Sequence, residues 1–208
     1  MSKIAIVPCF GLLLALSSYA QEVPRFTFNA SGGFTQPVGG SGRRLDVGWN
    51  AGAGAGFNFN SRLGVLAEFQ YNDMAINAVS LSNLGFPDGA VKIWSLTLDP
   101  IVHLNPKGPV DVYLIGGGGL YHRTQEFTAP TVATVTGFDP FFGFFPVNVP
   151  ANQILASYTV NKPGVNGGLG LAFGTKWSAK FFAEARYHRM FIGDRHTDYV
   201  PVSFGIRF

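Results

Sequence analysis

Glu184, Arg186 and His188 stand at alternate positions of one short segment. In an extended strand that spacing sends all three side chains to the same side. Two chemistries suit such a set. One is a proton-handling or gating cluster of perturbed groups. The other is mutual charge pairing in a confined space, where an isolated buried ion is too costly to keep. Glu68, Asp99 and Arg207 fall on matching positions of other segments and complete the set. Pairing is the favoured reading, because a small closed sheet leaves an interior just wide enough for side chains.

Other reactive types lack the company that chemistry needs. A nucleophile requires a base within hydrogen-bond reach. His188 is followed by Arg189 and Met190, His103 and His122 have no serine nearby, and His196 falls in a connection. The four histidines share no metal-ligand spacing. Gly116 to Gly119 lie inside an expected strand, with no Lys-Ser/Thr and no following helix to cradle a phosphate. The sequence therefore predicts no catalytic residues, no metal site and no cofactor.

The elements that position these residues are strands. After residue 20 the chain divides into segments of about ten residues that alternate apolar with polar or small positions. Strands are predicted at Arg25–Gln36, Val47–Phe59, Leu63–Asn72, Lys92–Leu104, Val110–His122, Pro163–Thr175, Lys180–Phe191 and Tyr199–Phe208. One face of these segments carries no charge at all. It includes Phe26, Phe28, Phe34, Trp49, Phe69, Trp94, Leu96, Leu98, Leu114, Leu169, Phe181 and Phe204. The other face holds Asn29, Asn50, Glu68, Gln70, Asn72, Asp99, Tyr113, Asn166, Glu184, Arg186, His188, Arg207 and many glycines.

Two patterns turn the apolar face outward. Aromatics gather toward the strand ends, with Trp49, Phe69, Tyr71, Trp94 and Tyr187 at one rim and Phe57, Phe59, Phe173, Phe181 and Phe208 at the other. Such girdles belong to membrane interfaces, and a soluble core has no reason to form them. Connections also alternate in length. Asn60–Arg62, Asn105–Pro109 and Lys176–Ala179 are tight; Pro37–Asp46, Asp73–Val91, Arg123–Lys162 and Ile192–Asp198 are longer. The expected fold is all-β: a closed antiparallel transmembrane β-barrel of eight strands with short periplasmic turns and long extracellular loops. Ten strands are the alternative, if Thr131–Val135 and Ile154–Val160 form an extra pair. Pro100 predicts a bulge or a change of parity in its strand.

Composition agrees. Charged residues make up 13% and hydrophobic residues 47% of the 208, and the charged share is about half that of an ordinary soluble domain. Beyond the N-terminus no apolar run is long enough for a membrane helix. A net charge of +3 spread along the chain lacks the basic footprint of a nucleic-acid binder. Residues 1–20 read as a secretory signal: Lys3, an apolar stretch from Ile4 to Leu16, and Ser18-Tyr19-Ala20 before the cut. The barrel domain then covers 21–208, without cysteine, since Cys9 lies in the leader. A lipoprotein signal at Cys9 is disfavoured by the short stretch before it and by Pro8.

The most individual stretch is Arg123–Lys162. At its centre stand Phe138, Phe141, Phe142, Phe144 and Phe145, an apolar patch that water does not leave without use. It predicts either contact with a partner or lipid, or a cap folded back over the barrel mouth.

The last strand alternates Val200, Val202, Phe204, Ile206 and Phe208. This resembles the C-terminal signature read by the outer-membrane barrel-assembly machinery. The chain as a whole resembles the small bacterial outer-membrane β-barrel family that holds the OmpA transmembrane domain, OmpX and the opacity proteins. The resemblance implies integral location in the bacterial outer membrane, outer-membrane lipid and the assembly machinery as partners, and a possible extracellular partner through loop 123–162. No peptidoglycan-binding domain is expected after Phe208. Lipid A deacylases are similar in size, but their serine two residues after the histidine is replaced here by Met190. The functional expectation is a non-enzymatic barrel with a structural or adhesive role through its loops. The runner-up is a narrow conduit for small or apolar solutes, as the similar OmpW-type barrels suggest. An envelope-lipid-modifying enzyme comes third.

Overall fold

The computed structural model describes residues 24–106, 108–174, 179–193 and 195–208. The expected leader and most of the expected turn at 176–179 lie outside them. Eight strands follow in chain order: β1 (Phe26–Pro37), β2 (Gly48–Asn58), β3 (Leu63–Ala75), β4 (Asp88–His103), β5 (Val110–Asp139), β6 (Gly143–Gly174), β7 (Lys180–Ile192) and β8 (Arg195–Arg207). Each pairs antiparallel with the next. β8 returns to β1, from Asn29 opposite Arg207 to Pro37 opposite Tyr199, and closes the barrel. Phe28 and Phe208 exchange backbone hydrogen bonds of 3.1 and 2.8 Å and carry the seam to the rim. Closure matters because no edge is then left to face lipid with unpaired amides.

Alternation sets the two faces as the sequence predicts. Along β3, Leu66, Glu68, Gln70, Asn72 and Met74 are buried, whereas Phe69 is 45% exposed. Phe34, Leu96, Leu98, Leu114, Leu169 and Phe204 are likewise exposed. The aromatic bands form on the outer surface. Trp49 packs on Tyr71 (5.3 Å between ring centres), Phe69 on Trp94 (6.2 Å) and Trp94 on His122 (4.7 Å). At the opposite rim Phe57 contacts both Phe26 and Phe59 edge-on at 5.5 Å.

The β2–β3 connection at that second rim is tight. Asn60 Oδ1 accepts from the amides of Arg62 and Leu63, both at 2.8 Å, the local bonding that makes asparagine a turn residue. The first two connections at the girdle rim carry short helices, α1 (Gly39–Gly42) and α2 (Ala78–Leu84). Asn77 caps α2 by accepting from Ser80 N at 2.8 Å, and its amide donates to Arg43 O, tying one loop to the other. Gly85 stops the helix at φ 74°, a left-handed conformation that costs glycine little.

Four expectations need correction. The longer connection expected at Ile192–Asp198 is mostly strand: β7 runs to Ile192 and β8 begins at Arg195, so His196 lies in β8 opposite Phe191. Pro100 produces no bulge: it faces outward, and the β4–β5 register is the same at Leu98/Gly118 as at Ile101/Ile115. Only the intervening rungs drop out, which a residue without an N–H can tolerate. Arg123–Lys162 is not a loop, and the ten-strand alternative falls. β5 and β6 continue as one ladder out to Asp139 opposite Gly143, with a single register shift at Phe127/Thr128. Their β-rich Thr/Val sequence extends the two barrel strands and adds no new staves. Nor does the phenylalanine tip cap the mouth. Phe141 and Phe142 are 91% and 86% exposed, and the cap is made by other residues.

Candidate functional site: a filled lumen and a projecting hairpin

The inward residues of β7, taken in order, pass through every layer of the interior: Phe182, Glu184, Arg186, His188, Met190. Phe182 belongs to an apolar cluster with Leu66, Ile101, Tyr113, Ile115 and Ala172 near the tight-turn rim. Met190 belongs to a second, with Leu45, Met74, Ile76, Leu81, Val91, Ile93, Tyr121 and Tyr199, near the helix-bearing rim. Phe86, Phe127, Val160 and Ile192 pack against the second cluster. Leu45 and Leu81 come from the loop and from α2, so the mouth is closed by the first two connections.

Between these clusters sits the ionic layer. Arg186 donates through Nη1 to Asp99 Oδ2 at 2.9 Å, through Nη2 to Glu68 Oε2 at 3.0 Å, and through Nε to Glu184 Oε1. Each carboxylate has further donors: Asn29 for Glu68 (3.0 Å), Thr97 (2.6 Å) and Asn166 (2.7 Å) for Asp99, and the Tyr113 hydroxyl (2.8 Å) for Glu184. The side chains come from β1, β3, β4, β5, β6 and β7, so one guanidinium fastens most of the barrel wall. Charge-assisted bonds of this kind are the strong ones, and the desolvation cost of these ions is met only because each finds partners. Neutral hydrogen bonds join the inner wall across β1, β2, β3 and β8. Thr35 donates to Asn72 (2.7 Å), Ser203 to Asn50 (2.9 Å), and Asn50 to Phe34 O (2.8 Å).

Of the six residues expected in the network, Glu68, Asp99, Glu184 and Arg186 meet directly. Arg207 lies at its margin, 4.0 Å from Glu184, with its guanidinium over the rings of Tyr113 (4.8 Å) and Phe182 (5.0 Å). His188 does not join. It stands one layer outward, with Nδ1 3.0 Å from the Tyr121 hydroxyl and its ring stacked on Tyr199 at 5.1 Å. A two-residue step along a strand advances about 6.6 Å, which is enough to change layers.

Sequence reading placed Tyr113 on the inward face without giving it a part in the network, and missed Tyr121 and the apolar layers. The available signal was glycine on the neighbouring strand. A Cβ on Gly170 would come within 2.3 Å of Tyr113 Cζ, and one on Gly164 within 2.6 Å of Tyr121. Gly164 and Gly170 are seats for rings, an arrangement that also pins register.

The second feature is the β5–β6 hairpin. β4 accompanies β5 only as far as Asp88 opposite Thr128, and β7 leaves β6 at Met190 opposite Gly164. Beyond these points the hairpin stands alone. Eleven residues from Ala129 to Asp139 at about 3.3 Å each reach roughly 36 Å. At the apex Asp139 Oδ1 accepts from the amides of Phe141 (2.8 Å) and Phe142 (3.1 Å), and Gly143 turns the chain at φ 77°. The expected patch is all present: Phe138 is 65% exposed, Phe144 77% and Phe145 42%.

Among the described residues, no group of three or more His, Cys, Asp or Glu is placed to hold a metal. The histidine–carboxylate pair at the tight-turn rim, His103 Nδ1 with Asp111 Oδ2 at 2.5 Å, packs against the Tyr113 ring.

A closed eight-stranded barrel with an apolar, aromatic-banded exterior and a polar, ion-paired interior is an integral outer-membrane barrel. Residues 9–208 match the model of the outer membrane protein beta-barrel domain, and the chain belongs to that family. Its fold is similar to that of Neisserial surface protein A, at 15% identity and a TM-score of 0.57 over 88% of this chain and 95% of that one. A major outer membrane protein from Thermus thermophilus is similar at 12% identity and 0.58, over 88% and 97%. No curated protein matches the sequence. The protein is therefore integral to the bacterial outer membrane.

Proposed function

We propose that this protein is a non-enzymatic surface-interaction barrel, in which the filled lumen is structural and the β5–β6 hairpin is the contact element. The observation that carries the reading is the hairpin, which extends the sheet well beyond its neighbours and ends in exposed phenylalanines. A conduit is disfavoured by the ionic layer closed between two apolar layers. An envelope-lipid enzyme is disfavoured because the hydrogen-bond and stacking partners of His188 are tyrosines. Val200, Val202, Phe204, Ile206 and Phe208 act as the signal for the barrel-assembly machinery; Phe204 and Phe208, 54% and 53% exposed, present it on the lipid face.

The test is attachment. Bacteria displaying the protein are compared with bacteria displaying a form in which residues 129–153 are replaced by an Asn-Gly turn. The truncated form is expected to remain a heat-modifiable barrel and to lose attachment to target cells. Undiminished attachment overturns the reading, as do stable conductance steps from the intact barrel in a planar bilayer.

A further inference from the structure

From Phe127 to Val160 the sequence carries one charged residue, Asp139. A hairpin projecting into water usually gains solubility from charge, and open strand edges are commonly guarded by it. Here the guard is proline. Pro130, Pro146 and Pro150 lie opposite Asn152, Thr136 and Val132, and these pairs share one parity of the ladder. That parity must be the one whose amides point away from the partner strand, since proline has none to give. The edges are thereby blunted against strand addition, while the chain stays almost free of charge.

The phenylalanines do not form a single face. Phe138 and Phe144 are cross-strand partners with ring centres 5.1 Å apart. Phe145 belongs to the opposite face, beside Gly137, and Phe141 and Phe142 occupy the turn itself. Rings that radiate from a convex apex do not suit a groove on a folded protein, which covers one side. They suit a fluid that can close around them. The amides of Phe141 and Phe142 at the turn are already satisfied by Asp139, which removes part of the cost of taking this turn out of water.

We propose that the apex from Phe138 to Phe145 inserts its rings into the interfacial region of an apposed phospholipid bilayer. This partner assignment rests on the reading of the hairpin as the contact element. Insertion is shallow. Amides along the open edges beyond the apex still need water or headgroups, so only the turn and its flanking pairs enter. Phenylalanine supplies the apolar area, and the stem supplies the reach of roughly 36 Å. That length exceeds the headgroup layer of a typical phospholipid bilayer, which is roughly 5–8 Å deep.

The full barrel, folded in lipid nanodiscs, is mixed with phosphatidylcholine vesicles, and bound protein is read by vesicle flotation. Capture is expected, and it should persist at about 0.5 M salt, because the apolar contact is not screened. Phe141→Ser/Phe142→Ser should weaken capture tenfold or more, while Phe141→Trp/Phe142→Trp keeps it. Heat-modifiable gel mobility shows that each variant is folded. Capture undiminished by the serine pair overturns the inference, as does association of the nanodiscs with one another in place of the vesicles. No capture alongside attachment to cells overturns lipid as the partner and leaves the surface-interaction reading standing. Loss of both removes both.

Discussion

At the scale of residues, Arg186 holds the interior together because three carboxylates depend on it. Its side chain is 3% exposed, and Glu68, Asp99 and Glu184 are no more accessible than 6%. Arg186→Met leaves these acids facing one another with Arg207 as the remaining cation nearby. The substitution should destabilise the folded barrel by about 3–5 kcal/mol, measured as the shift in urea midpoint for refolding into lipid. A loss under ~1 kcal/mol would mean that the acids find other relief. Tyr113 and Gly170 give a second residue-scale expectation. Gly170→Ala drives a methyl into the ring, at a cost of about 1–3 kcal/mol. Pairing it with Tyr113→Leu should recover part of that loss, and additive losses in a double-mutant cycle would show that the two sites do not touch.

At the scale of elements, the hairpin and the helix-bearing connections have opposite tasks. The first projects, and the second pair closes the mouth through Leu45 and Leu81. The prolines of β6 keep the projecting edge from recruiting another strand. Pro146→Thr/Pro150→Thr restores two outward amides, and the variant should form higher oligomers at concentrations where the parent stays monodisperse in detergent, read by size-exclusion chromatography with light scattering. Unchanged size would mean the edge is protected by something other than proline. Asn77 joins the two connections through Ser80 N and Arg43 O. Asn77→Ala removes the α2 cap, worth about 1 kcal/mol. Amide exchange should quicken in α2 and near Arg43, with the barrel strands unaffected.

At the scale of the whole molecule, exterior and interior are matched to two solvents. Apolar side chains between two aromatic bands fit a bilayer, and in such a medium every strand must find partners on both sides. The chain should fold to a heat-modifiable, β-rich form only when detergent or lipid is present. A monodisperse β-rich species in plain buffer would contradict the outward placement of Phe34, Leu98 and Phe204.

The sequence by itself determined the alternation, and with it the closed barrel, the faces, the aromatic bands and the tight turn at Asn60–Arg62. A period of two is local, and reversing the apolar face would strand charges in lipid. It also indicated that Glu68, Asp99, Glu184 and Arg186 share one interior. It did not show that Arg186 meets all three acids while His188 stands apart with Tyr121 and Tyr199. Those contacts cross strands far apart in the chain and depend on register. The apolar layers were hidden for a related reason. Leu66, Ile101, Ile115 and Phe182 point inward by parity, yet only packing across the barrel shows that they close it. The end of the barrel along β5 and β6 was likewise decided by the tertiary structure. β5 and β6 stay paired past Thr128, and the departure of β4 and β7, with the register shift at Phe127/Thr128, marks where wall becomes hairpin.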